Sequence, residues 1–213
     1  MTEPDVTLTD YALAVLCLGF AWILRNQTTS ARRHQALWTI FFASIAAASL
    51  VGGTVHGFFA AEHTAGYRVL WPLTLLFIGV TTAMGWILAG LLFSGVRGFR
   101  AWAVFAALML SAYTGVVLFY SQEFSVAIFA YLPAMVALWI AALRAYVRTR
   151  AGYSLWLAAG IVLGFVAALL QYAGIALHRE YFDHNSTYHV VKALGLWMLF
   201  VGARRQLISI QET

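Results

Sequence analysis

Apolar residues gather into seven long runs that are separated by short polar segments. A helix that crosses a membrane needs about 20 mostly apolar residues, and each run is near that length or longer. The runs cover roughly residues 6–24, 36–60, 69–94, 101–120, 124–143, 154–177 and 186–203. Because the connecting segments are short, neighbouring helices should be antiparallel. The pattern predicts an all-α fold, in which residues 1–213 form one integral-membrane bundle of seven helices.

The amino-acid composition is typical of a protein that is surrounded by membrane lipid. The chain has 213 residues, of which 62% are hydrophobic and only 10% are charged, whereas soluble domains carry about 25% charged residues. No basic run interleaved with aromatic residues is present, so we expect no nucleic-acid binding. Cys17 is the single cysteine, which excludes a disulfide framework. The acidic N-terminus lacks a positive segment, so the first run is expected to stay as a helix rather than be cleaved as a signal peptide.

Charged residues alternate from one side of the predicted bundle to the other. Ten of the thirteen Lys and Arg residues follow the first, third, fifth and seventh runs. These residues are Arg25, Arg32, Arg33, Arg97, Arg100, Arg144, Arg148, Arg150, Arg204 and Arg205. Seven of the eight acidic residues fall on the other side, namely Glu3, Asp5, Asp10, Glu62, Glu123, Glu180 and Asp183. Since cytoplasmic loops are enriched in Lys and Arg, the N-terminus should be outside and the C-terminus cytoplasmic. Asp10 is expected to cap the first helix.

Histidines supply the candidate chemistry. Five of the six fall on the predicted outer side: His56, His63, His178, His184 and His189. An ionisable residue at membrane depth is a functional hypothesis by default, and histidine is a common zinc ligand. We predict that His56, His184 and His189 bind one zinc ion near the outer surface. For His63 and His178, an ordinary hydrogen-bonded surface residue is the favoured interpretation.

The segment before His189 predicts where the last helix begins. Asp183, Asn185 and Ser186 are residue types that cap helices. His189 then lies one turn into the helix and faces the bundle. His184 lies at or before the cap, and a regular helix would place the two rings about 140° apart. A shared metal therefore requires a non-helical start to the helix.

Other polar residues lie within or next to the apolar runs. Lys192 costs about 3 kcal/mol in an apolar helix unless it is paired, so we expect it to snorkel or to meet Asp183 or Glu180. Gln171 and Tyr172 are expected to face a polar cavity. In the second run, small residues precede His56 at four-residue spacing, namely Ser44, Ala48 and Gly52. Small residues allow close helix packing in membranes, which would bring His56 into the bundle.

This arrangement resembles the superfamily of seven-helix, metal-dependent membrane hydrolases that contains alkaline ceramidases and adiponectin/progestin-type receptors, in a divergent bacterial form. Its members carry a metal-binding His near the end of helix 2 and a His-x-x-x-His pair at the start of helix 7. His56 and the segment His184–His189 occupy those places. The resemblance implies a zinc ion on three histidines, whose bound water attacks an amide or ester of a membrane lipid. It also implies a bacterial inner-membrane location.

The resemblance implies further site residues around the metal. The acid that the family carries in helix 3 has no counterpart here, so Asp183 or Glu62 would take its role. Asp183 is the expected catalytic residue. Glu62, Asn185, Lys192 and Gln171 are the expected substrate-binding or metal-supporting residues.

Three other classes of membrane protein compete with the hydrolase. His56 and His189 could be axial ligands in a haem protein, or could serve a quinone-binding one. A non-enzymatic sensor or transport module is a further alternative. A retinal protein is the last alternative, because Lys192 lies in helix 7, where a lysine could form a Schiff base with retinal. Residues 68–74 at the start of helix 3 offer no acidic counter-ion for it.

Overall fold

A computed structural model of the chain describes residues 1–178 and 182–211, without the side chain of Gln211. In this part of the chain the apolar runs form seven α-helices. They are α1 Pro4–Asn26, α2 Arg32–Phe58, α3 Ala65–Ser94, α4 Phe99–Phe119, α5 Phe124–Thr149, α6 Gly152–Tyr172 and α7 His184–Gln211. A short 3-10 turn, Gly95–Gly98, joins α3 to α4. The predicted all-α fold is confirmed, since each helix overlaps one predicted run.

Several helix ends differ from the prediction; α5, for example, continues to Thr149 instead of ending at residue 143. α6 ends at Tyr172 instead of residue 177, because Gly174 takes a left-handed conformation with φ of 66° shortly after it. His178 therefore does not end a helix and instead forms an isolated antiparallel bridge with Phe182. At the other end of the chain, α7 continues to Gln211, eight residues beyond the predicted end. The last basic pair thus lies on the helix itself and not in a tail after it.

Six helical segments of the described chain are long and apolar enough to cross a membrane. One of the six is Ala65–Phe119, which takes α3, the 3-10 turn and α4 together. A straight helix of that length would measure roughly 80 Å, against a hydrocarbon core of about 30 Å. Gly95, with φ of 64°, breaks the helix near its middle. The segments are those of a multi-pass membrane protein.

Six of the helices close into a ring and one lies outside it. Around the ring, α1 contacts α2, followed by α3, α5, α6 and α7, which contacts α1 again. α4 packs mainly against α3 and buries only Ala106, Tyr113 and Val117 among its residues. Its large apolar side chains, such as Val104, Leu108 and Phe119, are exposed. This is the composition of a surface that faces lipid.

An aromatic cluster fills the middle of the ring between α1, α2 and α7. The rings of Phe20 and Phe200 stack with centroids 4.3 Å apart, and Phe42 packs edge-on against Phe20 at 5.5 Å. We call the bundle end where α1 and α7 begin the N-terminal end, and the opposite end the C-terminal end. Phe20 is ten residues after Asp10, which is about 15 Å along a helix. The aromatic cluster therefore separates the two ends of the ring.

Glycines bring the helices of the ring close together. A Cβ atom at Gly53 of α2 would lie 2.8 Å from the Cβ of Asp10, so glycine allows α1 to approach there. On the neighbouring face, a Cβ at Gly52 would lie 3.3 Å from Thr74 of α3. Ser44, on the same face as Gly52, hydrogen-bonds to Thr81 of α3 over 2.8 Å. The small-residue face predicted in the second helix therefore packs against α3, and its neighbour packs against α1.

Candidate functional site

The start of α7 is fixed by a cap that also contacts α1. Asp183 Oδ1 accepts a hydrogen bond from the backbone N–H of Ser186 over 2.8 Å, which is the geometry of a helix N-cap. Asp5 of α1 accepts bonds from the Asp183 N–H at 3.2 Å and from the Ser186 hydroxyl at 3.0 Å. The predicted capping role of this segment is therefore observed. These bonds hold the first turns of α1 and α7 together.

His189 lies between two residues of α1. It is 9% exposed, and its Nδ1 atom lies 2.9 Å from the hydroxyl of Thr9. Its Nε2 atom lies 3.4 Å from Oδ1 of Asp10, which is 6% exposed. Ser49 of α2 is beside the same carboxylate. A buried acid–base pair therefore joins α1 to α7.

Thr9 limits the hydrogen positions at this pair. Its hydroxyl lies 2.9 Å from the carbonyl oxygen of Asp5 and 3.0 Å from that of Val6, and it can donate its one hydrogen either to these carbonyls or to Nδ1 of His189. When it donates to its own helix, its oxygen accepts from Nδ1–H, and a neutral His189 presents an acceptor at Nε2 towards Asp10. When it donates to Nδ1, a neutral His189 donates from Nε2–H to the Asp10 carboxylate.

A second imidazole–carboxylate pair lies nearer the surface. His56 Nδ1, near the end of α2, is 2.7 Å from Glu3 Oε2 at the start of α1. The ring of His56 also packs edge-on against Trp71 of α3, with centroids 6.5 Å apart. Both pairs use residues at or before the second turn of α1, so they lie at the same end of the bundle and are described together as one cluster.

Lys192 completes the cluster on the inward side. Its Nζ atom donates to the hydroxyl of Tyr188 over 2.6 Å. Its charge also lies close enough to Asp10 and to Tyr131 of α5 for direct electrostatic interaction. The expectation that Lys192 would meet Asp183 is wrong, because its hydrogen-bond partner is Tyr188 and the acid that acts on its charge is Asp10 of α1. Glu180, the other expected partner, lies outside the described residues.

The remaining predicted site residues have other surroundings. Glu62 lies on the exposed loop after α2, as does His63. Gln171 Nε2 donates to Asn185 Oδ1 over 2.8 Å, so these two residues join α6 to the start of α7. Tyr172 is 93% exposed and does not face a cavity as expected. His184 is the first residue of α7, so the helix begins without the irregular turn that a shared metal requires.

Metal ligation has no geometric support in the described part of the chain. In residues 1–178 and 182–211, no group of three or more His, Cys, Asp and Glu side chains is arranged to hold a metal ion. Asp183 is occupied in capping α7. The zinc site at His56, His184 and His189 therefore stays a prediction.

Sequence reasoning missed three residues of the cluster, all on or next to the start of α1. No local sequence pattern marks Glu3 or Thr9 as a functional residue. Asp10 is expected from its position to cap a helix, whereas it lies six residues into α1 and faces α7 and α2. Its place inside an apolar run is the signal that points to a partner, since ionised residues at membrane depth usually have one.

Comparison with known proteins assigns the chain to a family. Residues 6–208 match a family of unknown function, DUF6962, and the chain belongs to that family. No curated protein and no solved structure matches the chain. These findings provide no link to the ceramidase and adiponectin-receptor superfamily, so that resemblance stays a hypothesis.

Proposed function

We propose that all seven α-helices cross the membrane, with the N-terminus outside and the C-terminus in the cytoplasm, and that the protein binds a proton from outside. The distribution of basic residues supports this orientation. The break at Gly95 supports separate crossings by α3 and α4. A bacterial inner membrane stays the predicted location. In this orientation the cluster of Asp10, His189, His56, Glu3 and Lys192 lies in the outer half of the bilayer.

Exposure falls step by step from the outer surface to the buried pair. The side chain of Glu3 is 44% exposed and that of His56 is 33% exposed. The side chains of His189 and Asp10 are 11% and 9% exposed. Each of these groups exchanges protons readily in proteins. We propose that a proton from outside reaches the Asp10–His189 pair along this series.

The pair is suited to gaining and losing one proton. Without the extra proton, and with the ring hydrogen of His189 on Nδ1, two acceptor atoms face each other 3.4 Å apart, which is unfavourable in a buried site. With the proton, the acceptors are bridged, but the cluster gains a positive charge beside Lys192. Both the protonated and the unprotonated pair therefore have an unfavourable contribution to their free energy. A site whose two proton occupancies have similar free energies can respond to a change of pH.

The aromatic cluster limits where that proton can go. Phe20, Phe42 and Phe200 pack against one another between α1, α2 and α7, and they belong to the large buried apolar core of the ring. A proton therefore enters and leaves on the same side, which distinguishes this site from a channel. The function favoured is that of a non-enzymatic seven-helix sensor, in which outside pH sets the contact between α1 and α7. The observation that carries this proposal is the buried Asp10–His189 contact.

Nitrogen NMR of ¹⁵N-histidine-labelled protein in lipid bilayers tests the proposal. The ring resonances of His189, assigned by their loss in His189→Gln, should change as pH is varied around neutrality. In Asp10→Asn the amide cannot share the proton, so the pH response of His189 should be abolished or displaced. Exposed His63 lies outside the cluster, so its ring resonances should be the same in both proteins and serve as the control. His189 resonances that stay constant with pH in the wild type would overturn the proposal.

A metal-dependent lipid hydrolase is the second candidate. Two imidazoles, His56 and His189, each lie beside a carboxylate, and carboxylates orient imidazoles in metal sites. The described residues do not form a ligand set, so their geometry defines no catalytic step through zinc. The substrate would be a lipid amide or ester.

Elemental analysis separates the two candidates. For the hydrolase, wild-type protein purified without added metal should hold one zinc per chain. Both His56→Ala and His189→Ala should lose it, whereas His63→Ala should retain it. Wild-type protein without stoichiometric metal would remove the hydrolase candidate and leave the proton site unaffected.

A further inference from the structure

A pocket of about 290 Å³ lies at the C-terminal end, between the first turn of α6 and the last turns of α7. It is lined by Ala151, Gly152, Tyr153, Arg205, Ile208 and Ser209. Its size is just below the lower limit of about 300 Å³ for small-molecule sites, so it suits a compact polar group. It lies at the opposite end of the bundle from the Asp10–His189 pair.

Arg205 supplies a cation to this pocket. Its guanidinium carbon lies 5.1 Å from the centre of the Trp156 ring. Stacking of this kind restrains the side chain, and the planar guanidinium can donate two parallel hydrogen bonds to a phosphate. The side chain of Arg205 is exposed, and its contact with Trp156 holds it beside the pocket.

The start of α6 and a serine of α7 contribute to the lining of the same pocket. α6 begins here, and its N-cap residue Ala151 makes no side-chain capping bond. The N–H groups of a helix's first turn need outside acceptors and attract anions. Ser209 adds a hydroxyl to the lining. Nearby in that first turn, the buried hydroxyl of Ser154 has no hydrogen-bond partner in the described part of the chain.

We propose that this pocket binds the phosphate headgroup of an anionic membrane lipid. The surroundings favour a lipid over a free anion, because Ile208 of the lining is 44% exposed and offers apolar contact for acyl chains. Leu155, in the first turn of α6, is equally exposed. Tyr153 and Trp156 are the residue types enriched where membrane meets water. Basic pockets between helices at the cytoplasmic side are typical sites for anionic headgroups.

Native mass spectrometry of the full chain with added lipid tests the proposal. Phosphatidylglycerol should remain bound to the wild type, and phosphatidylcholine should bind several-fold less. Arg205→Gln should reduce retention of phosphatidylglycerol several-fold. Its neighbour Arg204→Gln removes the same charge from an exposed position that does not line the pocket, and should behave as the wild type.

Two further variants separate a specific site from general attraction. Arg205→Lys keeps the charge but loses the planar donor, and should bind at an intermediate level. Gly152→Leu keeps every charge but fills the pocket, and the space at the position of its Cβ is open, so the fold should accept it. It should lose the lipid as Arg205→Gln does. Equal melting temperatures of the variants in neutral detergent would show that each is folded.

Three results would overturn the proposal. Arg205→Gln could retain the lipid as the wild type does. Arg204→Gln could lose it to the same extent, which would indicate charge attraction without a site. Inorganic phosphate in millimolar excess could displace the lipid completely, which would make a free anion the occupant.

Discussion

At the residue scale, the buried pair depends on a hydroxyl that is easy to overlook. Thr9 and His189 are 180 positions apart in the chain, yet they lie 2.9 Å from each other. When the hydroxyl of Thr9 donates to its own helix, its oxygen accepts from the ring and holds the hydrogen of His189 at Nδ1. The other nitrogen is thereby directed at Asp10. Thr9 is therefore a positioning residue for the proton site.

Replacing Thr9 by the isosteric valine tests this role. The N–H at Nδ1 of His189 would lose its acceptor while remaining buried, which costs about 1–3 kcal/mol. Thr9→Val should therefore lower the melting temperature in detergent and shift the Nδ1 resonance of His189.

Thr39 of α2 offers a matched control. Its hydroxyl oxygen is buried and has no hydrogen-bond partner among the residues that the structure describes. Thr39→Val removes an unsatisfied polar group, so stability should be unchanged or higher. If the two substitutions had the same effect, Thr9 would have no special role.

The contrast between His189 and Asp10 shows what sequence can reveal about such a site. The capping residues before His189 set the start of α7, and the start of the helix determines that the ring faces the bundle. Nothing local can show which helix lies opposite. Asp10 becomes visible as the partner only when α1 and α7 are in contact, because pairing across a membrane bundle is determined by packing of the whole ring.

At the element scale, contact between α6 and α7 is set by glycines that face each other. A Cβ atom at Gly160 of α6 would lie 2.7 Å from the carbonyl oxygen of Gly195 of α7. The reverse distance, from a Cβ at Gly195 to the Gly160 oxygen, would be 2.8 Å. Since the obstructing atoms belong to the backbone, the helices must move apart to accommodate a methyl group. This contact holds α7, and with it His189, in position.

A pair of alanine substitutions on α6 measures this effect. Gly160→Ala should destabilise the protein by about 1–3 kcal/mol, because it overpacks a contact that cannot adjust. Gly164, one turn further along, has no atoms within 4 Å of its Cβ position. Gly164→Ala should be neutral or stabilise by up to about 1 kcal/mol, since alanine favours a helix. Equal melting temperatures for both variants would contradict the close contact.

Helix existence was predictable, whereas helix ends were less so. Long apolar runs are a strong signal because their length reflects the thickness of the membrane. The end of α6 depends instead on one residue, Gly174, whose positive φ stops the helix five residues early. The extension of α7 to Gln211 is equally local, because its last turns are polar enough to look like a tail. Hydropathy cannot distinguish a polar helical turn from a loop.

At the scale of the whole molecule, the two ends of the bundle have different chemistry. The N-terminal end holds the buried acid–base pair, and the C-terminal end holds most of the arginines. The aromatic cluster lies between them. A polar contact from Trp38 Nε1 to Gln206 Oε1, 2.8 Å long, lies beyond that cluster towards the C-terminal end. Orientation in the membrane therefore determines whether the proton site is close to the outside solution or to the cytoplasm.

The number of crossings and the orientation can be tested together by labelling single cysteines. Cys17, the natural cysteine, is fully buried and should not react, so positions can be introduced into the wild-type background. Ala61→Cys follows α2, Val96→Cys lies in the turn between α3 and α4, and Gln122→Cys follows α4; all three positions are exposed. With seven crossings and the N-terminus outside, a membrane-impermeant maleimide added to intact cells should label positions 61 and 122 but label position 96 only after lysis.

If α3 and α4 together crossed only once, positions 61 and 122 would lie on opposite sides. Labelling of position 96 alone in intact cells would reverse the orientation and place Asp10 and His189 towards the cytoplasm.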